Sequence, residues 1–260
     1  MAYEYEDFKK AILQLTKVDL NAYKEQQMKR RILSLIAKHK LPGFEEYVQA
    51  IKKDKDMYEE FLNYFTINVS EFYRNPDQWD MMDKQVIPEL IERFGKNLKI
   101  WSAACSTGDE PYSLVMAFSK HIPLNQIKIY ATDIDKQVIE KAKVGLYAPK
   151  SITSVPKDLK DKYFENVGGA YQISDQIKSR VTFKDHNLIL NDYQKGFDFI
   201  VCRNVLIYFT EEAKDAVFKK FYESLKPGGV LFIGSTEQIT NYGDIGYIRK
   251  SSFYYEKPMK

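Results

Sequence analysis

The chain has 260 residues, 44% hydrophobic and 29% charged, with a net charge of +3. That length supports one large domain or two smaller ones with a sizeable core; the net charge is too small to argue for a nucleic acid partner, and no apolar run reaches the length of a membrane span. The acidic opening MAYEYEDF lacks the apolar core of a signal peptide. With two cysteines, Cys105 and Cys202, a disulfide framework is not expected, and both thiols read as small residues at strand ends in a reducing cytosol.

Residues 1–70 read as a small helical domain. Phe8, Ile12 and Leu15 share one helical face, and Met28, Ile32, Leu35 and Ile36 mark a second helix over Tyr23 to Lys40, ended by Pro42 and Gly43. Phe44, Tyr47, Val48 and Ile51 make a third stripe, and Tyr58, Phe61, Leu62 and Phe65 a fourth. Residues 71–98 read as a linker followed by a helix from Pro76 to about Phe94.

From residue 99 to 260 strands alternate with helices, the pattern of an α/β fold with a mostly parallel, Rossmann-like sheet. Strands are expected at Lys99–Ala104, Ile127–Thr132, Val181–Lys184, Phe197–Cys202 and Val230–Ile233, with helices at Glu110–His121, Lys136–Lys143 and Glu211–Leu225. The stretch GYIRKSSFYYEK closes the chain as a strand or hairpin. Pro149, Pro156 and Gly168-Gly169 interrupt the alternation at about 147–180, where Tyr171–Ile173 and Gln176–Val181 could pair in an inserted β subdomain.

The segment KIWSAACSTGDEPYS, Lys99 to Ser113, carries the most chemistry. An apolar strand enters a loop with one glycine, Gly108, followed by Asp109 and Glu110. A doubly wound fold holds nucleotide-like ligands at this place, the carboxyl end of its first strand. A carboxylate about 4 Å from a phosphate charge costs on the order of 4 kcal/mol at an effective dielectric near 20, roughly a thousandfold in affinity. The loop therefore disfavours a dinucleotide and suits an adenosine that is cationic instead: S-adenosylmethionine, with its sulfonium and α-ammonium groups.

Asp133 ends the second strand about 25 residues after Gly108, near the roughly 20-residue spacing of ribose-binding acids. It could instead cap the next helix, although Asp135 is better placed for that. Glu110 suits the α-ammonium of the ligand, or simply complements the helix dipole. Asn187 and Asn204 follow the third and fourth strands and face the same crevice; an asparagine there can meet an adenine edge or a carboxylate, or be an ordinary turn residue. Arg74, in the polar and aromatic segment NVSEFYR, can clamp a carboxylate with its planar fork, or lie on the surface of a linker. Tyr208 lies near Asn204 as a substrate contact or a core tyrosine. Arg74 or Arg93, with Tyr208, are the candidates for orienting an acceptor carboxylate or the cofactor's own.

The second helix carries Lys24, Lys29, Arg30, Arg31, Lys38 and Lys40 with Glu25 as its one acid, a solvated face or a docking surface for an acidic partner. No stacking platform or nucleic-acid motif accompanies it. His39, His121 and His186 show no metal spacing.

NVSEFYR from Asn68, WSAACSTGDEPYS from Trp101, ATDID from Ala131, HNL from His186, CRNVLIYF from Cys202 and LKPGGVLFIGSTE from Leu225 resemble the bacterial chemotaxis receptor methyltransferases of the CheR type over nearly the whole chain. Ser70 stands where that family often has threonine, and Tyr73 where it has a second phenylalanine. The resemblance implies a class I methyltransferase fold that uses S-adenosylmethionine, gives S-adenosylhomocysteine, and forms methyl esters on glutamates of membrane chemoreceptors for adaptation. It implies cofactor contacts at Asn68, Ser70, Arg74, Glu110, Asp133, Asn187, Leu188, Asn204 and Val205, joined by Gly108 of the strand-end loop. It further implies that the basic helix meets the receptors' methylation helices, that the β subdomain can take a receptor C-terminal peptide, and that the enzyme is cytoplasmic, recruited to receptor arrays without membrane insertion. RNA or a small molecule as methyl acceptor, and a non-catalytic cofactor-binding adaptor, remain as competing readings.

Overall fold

The computed structural model describes residues 3–66 and 70–260. The chain divides into two compact units, residues 3–66 with Leu206–Val217, and residues 70–205 with Phe218–Lys260.

The first unit holds α1 (Tyr5–Thr16), α2 (Glu25–Lys38), α3 (Phe44–Lys53) and α4 (Lys55–Thr66). The stripes seen in the sequence become its core: Phe8, Ile12, Met28, Ile32, Tyr47, Ile51 and Phe61 are all buried. Leu206–Val217 belongs to this unit, not to the sheet domain expected to run unbroken from 99 to 260. Lys24 N–H donates to the Tyr208 carbonyl and Thr210 N–H to that of Ala22, both at 2.9 Å. The Tyr23 ring meets Phe209 edge-on at 4.7 Å.

In the second unit, α5 (Pro76–Met81), a π-helical turn (Met82–Val86) and α6 (Ile87–Phe94) form one continuous helical stretch. This is no linker: Phe72, Trp79, Met82, Ile87 and Leu90 lie in the same buried cluster as Ile100, Phe199 and Phe232 of the sheet. There follow β1 (Ile100–Ala103), α7 (Asp109–Phe118), β2 (Ile129–Asp133), α8 (Lys136–Val144), β3 (Leu146–Tyr147), α9 (Lys157–Tyr163), β4 (Phe164–Val167), β5 (Ala170–Ile173) and α10 (Asp175–Lys178). The chain ends with β6 (Val181–Asp185), β7 (Phe197–Cys202), α11 (Glu211–Ser224), β8 (Leu225–Ile233), α12 (Tyr242–Ile245), β9 (Ile248–Arg249) and β10 (Tyr254–Glu256).

The main sheet has the order β6-β2-β1-β7-β8-β10-β9, parallel from β6 to β8 and closed by the antiparallel β10 and β9. Strands β1 and β7 are buried along their whole length, as expected of central parallel strands covered on both faces. From β1 the chain builds outward to β2 and β6, then returns to place β7 on the other side. The switch point, where an open α/β sheet binds ligands, therefore lies at the carboxyl ends of β1 and β7. Register fixes the neighbours there: Ala103 pairs with Thr132 and with Cys202, and Cys202 with Ile233.

A small sheet of order β3-β5-β4 confirms an inserted β element with different strand partners from those expected. Ala170–Ile173 pairs with Phe164–Val167 and with Leu146–Tyr147, while Gln176 lies in α10. Gly168 and Gly169, at φ +61° and +89°, form the two-residue turn of the hairpin, a conformation that glycine adopts without strain.

Candidate active site

The carboxyl ends of β1, β2 and β7 and the loop after β8 meet at the switch point. After β1 the chain turns sharply, with Ala104, Ser106 and Gly108 all at positive φ. This conformation is held from the β2 side: Cys105 N–H donates to the Thr132 carbonyl at 2.9 Å and Ser106 N–H to Asp133 Oδ2 at 2.8 Å. Gly108 is required for packing as well as for its φ of +88°, since a Cβ there would lie 2.8 Å from that of Ala142 and 3.0 Å from the Tyr112 ring. The missing Cβ lets α7 and α8 approach.

Asp133 is buried at the tip of β2, and its Oδ1 accepts from Asp135 N–H at 3.0 Å. Asp135, not Asp133, caps α8, through Gln137 N–H at 2.9 Å. Burial pushes the Asp133 carboxyl up to about 6 despite its backbone donors. Glu110, in the first turn of α7, accepts from Ser102 Oγ at 2.8 Å and keeps 14% of its side chain exposed. Desolvation raises its pKa to about 7, against the pull of the Arg203 guanidinium and the Ser102 hydroxyl. Two carboxyls in one crevice thus lack full charge compensation, which suits a ligand bringing positive charge and hydroxyl donors.

Arg203, after β7, was not singled out from the sequence. Its side chain is 3% exposed and stands 3.8 Å from Glu110. Its Nη2 donates to the Arg74 carbonyl at 2.7 Å, to Gln78 Oε1 at 2.8 Å and to Asn75 Oδ1 at 3.2 Å. The guanidinium lies over the Phe232 ring at 4.8 Å. Arg203 therefore fastens the 70–78 segment to the sheet edge, and Tyr73 N–H adds a bond to Ser113 Oγ on α7 at 3.1 Å. Arg74 is half-buried in this segment, close enough for its charge to act on Glu110. Ser70 is half-buried and acts on Asp109 of the same loop. Asn68 lies outside the described residues.

Asn187 follows β6, and its Oδ1 folds back onto Ile189 N–H and Leu190 N–H at 2.9 and 3.2 Å. That is turn chemistry, and it fixes the buried Leu188 beside it. Asn204 and Val205 are half-buried directly after Arg203, with Asn204 at φ +60°. A second residue without a role in the sequence reading, Glu237, accepts from the backbone of both. The signal for Arg203 and Glu237 was a charged residue directly after a wholly buried strand in one case and inside the GSTE turn in the other.

Arg93 does not reach this site. It pairs with Glu256 at 3.0 Å and bonds the Gly228 carbonyl, near the start of β8. Because α6 ends at Phe94 and β1 starts at Ile100, the end of α6 falls at the amino edge of the sheet. Tyr208 belongs to the first unit, where its carbonyl holds Lys24 N–H. His186 packs edge-on against Trp101, and burial lowers its pKa, consistent with a packing role.

Residues 68–253 match the family described as CheR methyltransferase, SAM binding domain, and residues 3–66 match CheR methyltransferase, all-alpha domain. A chemotaxis protein methyltransferase of Listeria monocytogenes serovar 1/2a is 43% identical over 258 residues, 96% of this chain and 98% of that protein. Chemotaxis protein methyltransferase 2 of Vibrio cholerae serotype O1 is 38% identical over 210 residues, 76% of this chain and 73% of the other. Among solved structures, magnesium protoporphyrin IX methyltransferase from Synechocystis PCC 6803 with bound SAM aligns at 14% identity and a TM-score of 0.38, covering 69% of this chain and 76% of that one.

The sheet, the acid-lined crevice and the matched SAM-binding domain together define an S-adenosylmethionine-dependent methyltransferase. With both of its domains matched in order, the chain belongs to the CheR methyltransferase family.

Proposed function

We propose that the protein methylates glutamate side chains of membrane chemoreceptors, forming glutamyl methyl esters. The observation that carries this is the near full-length likeness to chemotaxis protein methyltransferases, with helical and SAM-binding domains in the same order. Glu110 is assigned to the cofactor's α-ammonium and Asp133 to its ribose hydroxyls, with Ser70, Arg74, Asn187, Leu188, Asn204, Val205 and Asn68 as further contacts. When bound, S-adenosylmethionine would supply a sulfonium-borne methyl group to the acceptor oxygen, with S-adenosylhomocysteine as co-product.

The acceptor needs no base, because a glutamate with an ordinary pKa near 4.3 is already a carboxylate at neutral pH. What the chain must do is hold that oxygen in place, and positioning alone can lower a barrier by several kcal/mol. Arg74 and Tyr208, the latter four residues after Asn204, are assigned to orienting carboxylates. Tyr208→Phe is expected to lower turnover by about ten- to a hundredfold with cofactor affinity unchanged within about threefold; unchanged turnover removes Tyr208 from the mechanism.

Docking is assigned to α2. Its basic residues differ: Arg31 turns onto the Tyr64 ring at 4.3 Å, Lys38 pairs with Glu60, and Lys29 lies 5.2 Å from the Tyr5 ring centre, while Lys29, Arg30 and the preceding Lys24 are exposed. Lys29 and Arg30 line a shallow depression with Gln26, Leu33, Ser34 and Ala37. Lys29→Glu with Arg30→Glu should cut receptor methylation at least tenfold at moderate salt and leave S-adenosylhomocysteine affinity unchanged. Equal methylation by the double variant would make this face merely solvated. The small sheet is assigned, as a second contact, to a receptor C-terminal peptide. Among the described residues no helix is long and apolar enough to cross a membrane, in keeping with a cytoplasmic enzyme recruited to receptor arrays.

Incubation with methyl-labelled S-adenosylmethionine and receptor-containing membranes tests the whole proposal. Label on receptor protein, released as methanol by mild base, is expected. Base-stable label on RNA or a small molecule would overturn it.

A further inference from the structure

We infer that Glu237 is a positioning residue that pre-forms the Asn204–Val205 segment for the cofactor, an inference that rests on Asn204 and Val205 being cofactor contacts. Glu237 is 7% exposed and both its carboxylate oxygens are spent on backbone donors. Oε2 accepts from Gly234 N–H at 2.7 Å and from Asn204 N–H at 2.9 Å, and Oε1 accepts from Val205 N–H at 3.0 Å. One side chain thus ties the end of β8 to the end of β7, whose last residues Cys202 and Ile233 are already register partners.

The segment it holds is one that would not keep its shape alone. Asn204 sits at φ +60°, a left-handed conformation that an L-residue occupies at a cost and that persists where surrounding contacts over-determine it. Charge-assisted bonds from a carboxylate to backbone N–H groups are among the stronger ones available. Room for the carboxylate comes from Gly234: a Cβ there would lie 2.7 Å from Glu237 Oε2, 2.9 Å from Asn204 N and 3.0 Å from Asn204 Nδ2. Glycine and glutamate three residues apart in the GSTE turn therefore act as a unit. Fixing the segment before the ligand arrives removes an ordering cost from binding.

Full-length protein and S-adenosylhomocysteine as probe provide the test, by titration calorimetry of wild type, Glu237→Gln and a control, Asp198→Asn. Asp198 is also a wholly buried carboxylate holding backbone, accepting Lys99 N–H at 2.7 Å and pairing with Lys226 at 2.7 Å, but it lies at the amino edge of the sheet. Glu237→Gln puts an amide donor against N–H groups and is expected to raise the dissociation constant about ten- to a hundredfold. Asp198→Asn is expected to lower the melting temperature while its dissociation constant stays within twofold of wild type. Hydrogen exchange on the ligand-free wild type keeps the test open if Glu237→Gln does not fold. The Asn204 and Val205 amides should already exchange at least a hundredfold more slowly than the exposed Ser235 and Thr236. Affinity of Glu237→Gln within twofold of wild type, or unprotected Asn204 and Val205 amides without ligand, would overturn the inference alone. A folded wild type with no affinity for the probe would overturn the cofactor assignment and the inference with it.

Discussion

Replacing Glu110 with glutamine is expected to raise the dissociation constant for S-adenosylhomocysteine by about ten- to a hundredfold, the range of a lost charge-assisted contact. It should also remove most of the pH dependence of binding. In the free protein burial pushes the Glu110 carboxyl up to about 7 from its ordinary value near 4.5. A ligand ammonium favours the ionised form. Wild-type affinity should therefore be about tenfold weaker at pH 6, where the group is mostly protonated, than at pH 7.5. Stability of the free protein moves the other way. Between the unfolded and folded pKa values the native state binds more protons than the unfolded chain, so stability falls as pH rises through that window, and Asp133, raised to about 6, adds to the fall. Calorimetric affinities and melting temperatures over pH 5–8 check both signs. A wild-type affinity independent of pH would detach Glu110 from the ligand.

Arg203→Leu is expected to be the most destabilising single change in the crevice. It removes three hydrogen bonds to the 74–78 segment and takes from Glu110 the guanidinium 3.8 Å away, the stronger of the two cations acting on it. Breaking a buried ion pair from one side costs about 3–5 kcal/mol. For a protein of this size that lowers the melting temperature by roughly 6–20 °C. The loss should be smaller at pH 6 than at pH 8, because Glu110 can then take a proton and shed the unpaired charge. Melting curves at the two pH values decide the matter; a loss equal at both, or no greater than that of a surface substitution, would show that the two side chains are not coupled.

The helices of the first unit and the strands of the main sheet were legible because each has its own periodicity. Phe197–Cys202 emerges with the boundaries read from its apolar run, and the four helical stripes become the four buried faces. Pairing was less legible. Ala170–Ile173 finds its partners across a two-residue glycine turn and a distant dipeptide, so the strand signal was present and the partner signal was not. The return of Leu206–Val217 to the helical unit depends on backbone bonds to Ala22 and Lys24, far away in sequence.

The site divides in the same way. Glu110 and Asp133 stand out in the sequence as acids close behind the carboxyl ends of strands, and their burial with a raised pKa sets them apart from an ordinary dipole partner or cap. Arg93 was misplaced because a one-dimensional pattern does not say which edge of the sheet a helix end reaches. Arg203 and Glu237 were passed over because charges inside apolar motifs read as spacers until their burial and partners are known. Arg31 looked equivalent to Arg30 in the basic helix, and only packing against Tyr64 separates them.

Titration calorimetry of the full chain with S-adenosylmethionine, in buffers of different ionisation heat at pH 6 and pH 7.5, tests the acid-lined crevice most directly. Saturable binding at one site is predicted, with roughly one proton or more released per ligand at pH 6 and much less at pH 7.5. Folded protein that gives no heat with S-adenosylmethionine, or that binds a pyrophosphate dinucleotide equally well, would contradict it.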